Sequence, residues 1–364
     1  MKVIIAGGGT GGHLFPAVAL GEEMMRERPE TDVLFVGTST GMEAKWLPDS
    51  RFNYELFKMH GIRGHSLIER ARASAEFLRA IALALSLLRR FRPSLVVSAG
   101  GYASASMGAA AIITRTPLVL MEQNTRPGLV NRMLSRFAKK ICVGFSDSLA
   151  YFSSANVEVT GNPTRLRYLP DRSRAEGAPL QILVLGGSSG AHRLNLGVLG
   201  AFKIYGKSVI NLNLNVVHQT GEADVELVKQ AYSEMQFAAD VVPFINNVAD
   251  AMHRADLIIA RSGAMTVTDI ALAARPAVFV PYPFHKDMQQ LHNARVLEKR
   301  GGAIIVSDDD ALAPNLAREI DALLKNPSRL IEMGERAHQE AHPDAAQHVA
   351  RICFEVANLE NAAA

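Results

Sequence analysis

The residues Gly7-Gly8-Gly9-Thr10-Gly11-Gly12-His13 follow a short apolar run and place a histidine where a loop turns into a helix. Glycines let the backbone approach a ligand closely, and the helix N-terminus behind them favours negative charge. A histidine at such a point can take up a proton near neutral pH, which is general-base chemistry. The bland alternative is a surface or capping histidine. The stretch also satisfies G-x-G-x-x-G literally, with Asp32 about 20 residues on, so a dinucleotide site is a second reading of it.

Later stretches repeat the arrangement. Leu185-Gly186-Gly187-Ser188-Ser189-Gly190-Ala191 again leads from a strand into a helix, so a phosphate could rest on its N–H groups with Ser188 as hydroxyl donor. In Arg261-Ser262-Gly263-Ala264-Met265-Thr266-Val267-Thr268-Asp269, Ser262 and Gly263 can cap a helix, and Asp269 could accept from ribose hydroxyls. Gln289 and Gln290, after Pro281-Tyr282-Pro283-Phe284-His285-Lys286-Asp287-Met288, offer amides that donate and accept, as sugar hydroxyls require. Gly100-Gly101-Tyr102 and Glu122-Gln123-Asn124 each follow a strand and so lie at a carboxyl edge, where open α/β folds bind ligands. The alternative is a tight strand-to-helix turn for the second glycine loop, a helix-favouring acid for Asp269 and a solvated helix start for the Gln289-Gln290 stretch. Asp308-Asp309-Asp310 contains D-x-D, a metal–nucleotide signature elsewhere, but it precedes a helical pattern and reads as capping. No convincing metal constellation is visible.

These residues need a scaffold of strands and helices. Short apolar runs at Lys2–Ala6, Val33–Val36, Leu95–Ser98, Leu118–Met121 and Lys140–Val143 read as strands, with helical stretches such as Pro16–Arg28 and Glu69–Arg90 between them. The pattern restarts at Gln181–Leu185 and continues through Leu214–His218, Val241–Pro243, Leu257–Ala260, Ala277–Pro281 and Ala303–Val306. Strands alternating with helices predict parallel sheets covered on both faces, here in two Rossmann-like halves. The expected division is 1–162, 163–340 and a helical segment 341–364 whose packing is left open, with the linker at Gly161–Pro179.

With 48% hydrophobic and 21% charged residues, the composition is that of a packed globular chain. Residues 1–162 carry 19 Lys+Arg against 13 Asp+Glu and residues 163–364 carry 20 against 23, so the first half is the one to meet anionic partners. Cys142 and Cys353 form neither a disulfide framework nor a metal spacing, which fits a reducing compartment. No targeting segment or membrane span is apparent, and the expectation is a cytoplasmic protein bound at most to a membrane face. The candidate for that face is His60–Pro93, which holds seven arginines and two glutamates. Its apolar residues Ile68, Phe77, Leu78, Ile81 and Leu85 lie among Arg70, Arg72 and Arg79, a composition suited to anionic lipid or to an ordinary core-packed helix. Nothing accompanies the charge that would indicate nucleic acid.

Taken in order, the motifs resemble the MurG family of N-acetylglucosaminyltransferases. The matching stretches are Gly8–His13, Gly61-Ile62-Arg63-Gly64, Gly100-Gly101-Tyr102, Glu122-Gln123-Asn124, Gly161-Asn162-Pro163-Thr164-Arg165, Gly186-Gly187-Ser188, Arg261-Ser262-Gly263-Ala264 and His285–Gln290. The resemblance implies a GT-B fold, two Rossmann-like parallel-sheet domains facing a cleft. It implies an inverting transfer of GlcNAc from UDP-GlcNAc to lipid I, forming lipid II in peptidoglycan synthesis, with no cofactor required. It also implies peripheral attachment to the anionic cytoplasmic face of the plasma membrane, with cell-wall synthesis proteins as partners.

Carried over by position, Ile245 would hold the uracil, Asp269 the ribose, and Ser188 with the turn from Ala264 through Met265 and Thr266 into Val267 and Thr268 the diphosphate. Gln289, Gln290, Asn124 and Arg165 would hold the sugar end, and Arg165 with the helix N-termini would also stabilise the leaving diphosphate. Thr10, Gly11, Gly12 and His13 would line the acceptor side, the first three also meeting the donor. Gly101, Tyr102, Glu122 and Gln123 complete the acceptor side, with His13 as the base, and the segment from Ile68 to Leu85 would be the family's membrane patch. The chain departs from the family's usual residues at Asp269 (Glu), Met121 (His) and Asn246-Asn247 (acids). The rivals are another GT-B UDP-sugar enzyme such as an epimerase or glycolipid synthase, a nicotinamide-dependent oxidoreductase, and a non-catalytic membrane scaffold.

Overall fold

Runs such as Val3-Ile4-Ile5-Ala6 and Ile182-Leu183-Val184 are apolar at every position because they are buried from both sides: all seven side chains are 0% exposed. The computed structural model describes residues 1–59, 67–153, 156–166, 178–187, 190–205, 213–284 and 287–361, apart from the side chains of 67–72 and 359–361. The chain divides into two units, Met1–Arg165 with the segment from Asp344 onward, and Leu166–Pro343.

The first unit is built on strands Lys2–Ala6 (β1), Asp32–Thr38 (β2), Asn53–Phe57 (β3), Leu95–Ser98 (β4), Leu118–Glu122 (β5), Lys140–Val143 (β6) and Val157–Val159 (β7). They form one parallel sheet in the order β3-β2-β1-β4-β5-β6-β7. The second unit carries Leu180–Leu185 (β8), Leu214–Gln219 (β9), Ala239–Val242 (β10), Leu257–Ala260 (β11), Ala277–Phe279 (β12) and Ala303–Ile305 (β13). These are parallel in the order β10-β9-β8-β11-β12-β13. In each sheet the chain reverses its direction of winding beside the first strand, so both glycine loops leave the carboxyl end of a strand at a topological switch point.

Strand periodicity divides the first core in two. Val3 and Ile5 point to a cluster made with Leu14, Val18, Leu20 and Met24 of the helix Gly11–Glu27, while Ile4 and Ala6 point to the opposite cluster. There the helices Leu67–Phe91, Tyr102–Thr114 and Leu129–Leu134 contribute Ala84, Leu88, Met107, Ala111 and Leu134. The helix Ala345–Asn361 closes the first cluster with Val349, Ala350, Cys353, Phe354 and Ala357. His348 Nε2 lies 2.7 Å from Glu158 Oε1 at β7. The expected helical segment 341–364 holds the helix Ala345–Asn361, and a separate helix precedes it. Pro327–His338 is capped by the Asn326 side chain and belongs to the second unit, and Pro343 lies in the break before Ala345.

Two edge strands, β3 and β7, were not expected from the sequence, and the first helix begins at Gly11 rather than near Pro16. Pro16 lies inside that helix and removes one backbone donor without ending it. Among the described residues, no helix is long and apolar enough to cross a membrane.

Candidate active site

The first glycine loop wraps around a buried acid that no motif announced. Glu43 begins a short helix, Glu43–Trp46, and is 0% exposed. Its carboxylate accepts from Gly9 N, Thr38 N and Thr38 Oγ1, each at 2.7 Å. Above it, the His13 ring lies against Gly100, where a Cβ would fall 2.8 Å from His13 Cδ2. His13 is half-buried, and its Nδ1 is fully buried with no hydrogen-bond partner among the described residues. Burial pushes the imidazole pKa below its ordinary value, against the opposing pull of Glu122, the Gly8 carbonyl and Glu43. Thr10 is exposed, Gly11 and Gly12 are half-buried, and Tyr102, 44% exposed, begins the helix that Gly101 caps.

Glu122, at the end of β5, is a second buried carboxylate with a full set of donors. Oε1 accepts from Asn124 N at 2.9 Å and from Asn124 Nδ2 at 3.3 Å. Oε2 accepts from Gly128 N at 3.0 Å and Asn131 Nδ2 at 2.9 Å. Asn131 also reaches the Met121 carbonyl, so it ties the loop to the strand it leaves. Gln123 is 1% exposed, and neither atom of its amide has a partner among the described residues. Its carbonyl accepts from Asn162 Nδ2 at 3.1 Å. Arg165 pairs with Glu22 at 3.0 Å and stacks 5.8 Å over the Trp46 ring.

In the second unit, Ser188, His285 and Lys286 lie outside the described residues. The remaining motifs interlock. Ser262 Oγ donates to the Gln290 carbonyl at 2.8 Å, and Gln290 Oε1 accepts from Tyr282 N at 2.9 Å. Gln289 opens the helix Gln289–Arg300 beside Gln290. Gly263 caps the helix Ala264–Ala273, in which Ala264, Val267 and Thr268 are buried while Met265, Thr266 and Asp269 are half-buried. Ile245 is half-buried just beyond β10. Asp308 does not act as a local cap: its carboxylate bonds Arg261 at 2.8 Å and Arg193 at 2.6 Å, and Arg261 also reaches the Val280 carbonyl. The local bond comes from Asp309, which accepts from Ala311 N.

Beneath the second loop runs a polar chain that sequence reading missed. Asn195 Nδ2 donates to the Thr220 carbonyl and to Asp224 Oδ2, and its Oδ1 lies 3.1 Å from His218 Nε2. His218 Nδ1 lies 3.0 Å from the Tyr232 hydroxyl, and burial lowers its pKa to about 4. His218 therefore sits neutral in the core. Both cysteines are inert for similar reasons: burial pushes Cys142 up to about 12 and Cys353 well above its ordinary value. Among the described residues no group of three His, Cys, Asp or Glu could hold a metal ion.

The expected membrane patch divides. Phe77 and Leu85 are partly buried against the core, Ile81 is half-buried, and Leu78 (67%) and Arg79 are exposed. The side chains of Ile68, Arg70 and Arg72 lie outside the described residues. A second exposed surface was not anticipated: Leu129, Met133 and Phe137, spaced by four, are 71%, 65% and 58% exposed, with Arg132 and Arg136 exposed between them. The spacing could have been read as one helix face.

The models of the glycosyltransferase family 28 N-terminal and C-terminal domains match residues 3–143 and 181–349. The UDP-N-acetylglucosamine--N-acetylmuramyl-(pentapeptide) pyrophosphoryl-undecaprenol N-acetylglucosamine transferase of Geobacter sulfurreducens is 41% identical over 359 residues, covering 96% of this chain and 97% of its own. The crystal structure of Acinetobacter baumannii MurG is similar with a TM-score of 0.80 at 32% identity, over 97% of this chain and 99% of that one. A UDP-GlcNAc 2-epimerase from Neisseria meningitidis matches with a TM-score of 0.67 at 13% identity, over 98% of this chain and 100% of that one, a likeness of fold alone.

Proposed function

The chain belongs to glycosyltransferase family 28 and, within it, to the MurG family, and we infer that it transfers N-acetylglucosamine from UDP-GlcNAc to lipid I with inversion, giving lipid II. The observation that carries this reading is a resemblance running through both units, so that donor and acceptor motifs occur together. In this reading the two units are the Rossmann-like domains of a GT-B fold.

In the reaction, an acceptor sugar oxygen bonds to the anomeric carbon of the donor as the bond from that carbon to the diphosphate oxygen breaks. The hydroxyl proton passes to the His13 imidazole. Neutral at physiological pH through burial, the ring is able to accept it. Negative charge grows on UDP, where the N-terminus of the helix Ala264–Ala273 and the second glycine loop with Ser188 receive it without a resident metal. Asp269 accepts from the ribose, Ile245 holds the uracil, and Gln289, Gln290 and Asn124 address the transferred sugar. Arg165 is held by an exposed ion pair and a ring contact, each worth about 1 kcal/mol or less, and exchanges them for the diphosphate.

The exposed residues Leu78, Arg79, Leu129, Arg132, Met133, Arg136 and Phe137 supply apolar and basic groups for an anionic membrane surface on the cytoplasmic side, where the lipid-linked acceptor resides. Arg79→Ala is expected to weaken sedimentation with anionic vesicles about fivefold, the effect of about 1 kcal/mol per basic residue, and to leave turnover of a detergent-soluble acceptor intact. The test of the activity itself is UDP release from UDP-GlcNAc with and without a lipid I analogue. Release that depends on the acceptor and yields a disaccharide is expected. No release with a competent acceptor would overturn the reading.

A further inference from the structure

A fully buried carboxylate is costly unless donors fill it, and a protein retains one where it holds something in place. Around Glu43 the chain has also given up three side chains. A Cβ at Gly8, Gly37 or Gly41 would come within 2.3 Å of a Glu43 side-chain atom. Those glycines come from the loop after β1, the end of β2 and the turn beyond it, so three segments close on one acid. What the acid grips is the Gly8–Gly9 pair, at φ +149° and +89°, through the Gly9 N–H. The Gly8 carbonyl is thereby aimed at Gly101, where a Cβ would lie 2.5 Å from its oxygen. The His13 ring rests against the adjoining Gly100, and one unbroken set of close contacts runs from Glu43 to the imidazole.

We propose that Glu43 is a positioning residue for sugar transfer: it fixes the Gly8–Gly9 peptide so that His13 is presented to the acceptor hydroxyl, and together with Glu122 it supplies the negative field in which the imidazolium forms. The inference rests on His13 being the base. Glu122 at the end of β5 and Glu43 beside β2 are the charged groups acting on the ring, and both favour its protonated form. Glu43→Gln keeps one acceptor oxygen but removes the charge and turns an N–H toward a donor. Glu43→Asp keeps the charge and gives up reach.

The test is the pH–rate profile of the full-length enzyme with UDP-GlcNAc and a lipid I analogue, for wild type, Glu43→Gln, Glu43→Asp and His13→Ala, alongside KM and thermal midpoints. Glu43→Gln is expected to lower kcat about 10- to 100-fold, to leave KM for UDP-GlcNAc within about twofold, and to move the acidic limb to lower pH. Glu43→Asp is expected to lower kcat with the limb where wild type has it. A Gln variant with wild-type kcat and limb overturns the proposal, as does one that loses only thermal stability. Should the Gln variant not fold, Glu43→Asp decides: wild-type kcat overturns the proposal. If His13→Ala retains turnover, the base assignment falls and this inference with it. If His13→Ala is inactive while Glu43→Gln behaves as wild type, only the inference falls.

Discussion

The loop after β1 and the loop after β8 share a glycine-rich sequence and the same place in their sheets, and they are held by different chemistry. In the first, the Gly9 N–H is committed to an internal carboxylate. In the second, neutral groups close the turn: Gln219 Nε2 donates to the Gly187 carbonyl at 2.8 Å, and Gly190 N donates to the same carbonyl at 3.0 Å. Behind that turn stand Asn195 and a neutral His218. Among the described residues, no acid accepts from an amide of the second loop. A glycine loop can thus carry its own anion, which stiffens it, or leave its amides for an anion that arrives with a ligand. The difference also weighs against a dinucleotide at the first loop, because an incoming pyrophosphate would meet Glu43 already bonded there.

The largest effect that would test this contrast comes from adding one methyl to each loop. Gly8→Ala drives a Cβ to 2.3 Å from Glu43 Cδ, whereas Gly187→Ala, at φ +85°, meets nothing within 4 Å. Gly8→Ala is expected to destabilise the first unit by about 2–5 kcal/mol, and Gly187→Ala the second by about 1–2 kcal/mol. Urea unfolding followed by Trp46, the single tryptophan, reads the first unit directly, since Trp46 ends the helix that Glu43 begins. Equal effects would erase the distinction.

Next in size is a pH effect confined to the support of the second loop. His218 has its folded pKa lowered from 6.5 to about 4. Between those values the unfolded chain binds the proton and the folded one does not, so stability is complete above 6.5 and falls as pH drops toward 4. The loss is expected to reach about 3 kcal/mol, and His218→Gln should give a lower but flatter profile in thermal melts. The smallest effect is on the donor itself. Asp269→Ala is expected to raise KM for UDP-GlcNAc about tenfold with kcat within about twofold, while Asp269→Glu lowers KM. A change in kcat instead would move Asp269 from holding the donor to the reaction step.

How much of this could be read from the sequence depended on whether a signal was local. Central strands such as β1 and β8 contain the unbroken apolar runs Val3-Ile4-Ile5-Ala6 and Ile182-Leu183-Val184-Leu185, and their pairing into two parallel sheets followed from the alternation with helices. The edge strand Asn53–Phe57 is exposed or half-exposed except at Phe57, so it lacks such a run. Each glycine loop was visible because its residues are contiguous. Glu43 was not, since its role depends on Gly9 and Thr38 reached through folding, and on glycines whose purpose appears only once the acid is in place. Asp308 misled for the same reason: its neighbours in sequence suggested a cap, and its partners Arg261 and Arg193 lie 47 and 115 residues away.

The helix Ala345–Asn361 packs on the first unit after the chain has traversed the second, so the second unit is spliced into the first at both of its ends. On the ribosome this imposes an order. The helix Gly11–Glu27 covers part of the face formed by Val3, Ile5 and Val97 early, but that cover cannot be completed until Val349, Cys353 and Phe354 have been translated, by which time every strand of the second sheet is already outside. The nascent first unit must wait with an open flank while its insert matures, and a translational stall near residue 343 would strand it in that state as a substrate for chaperones and proteases.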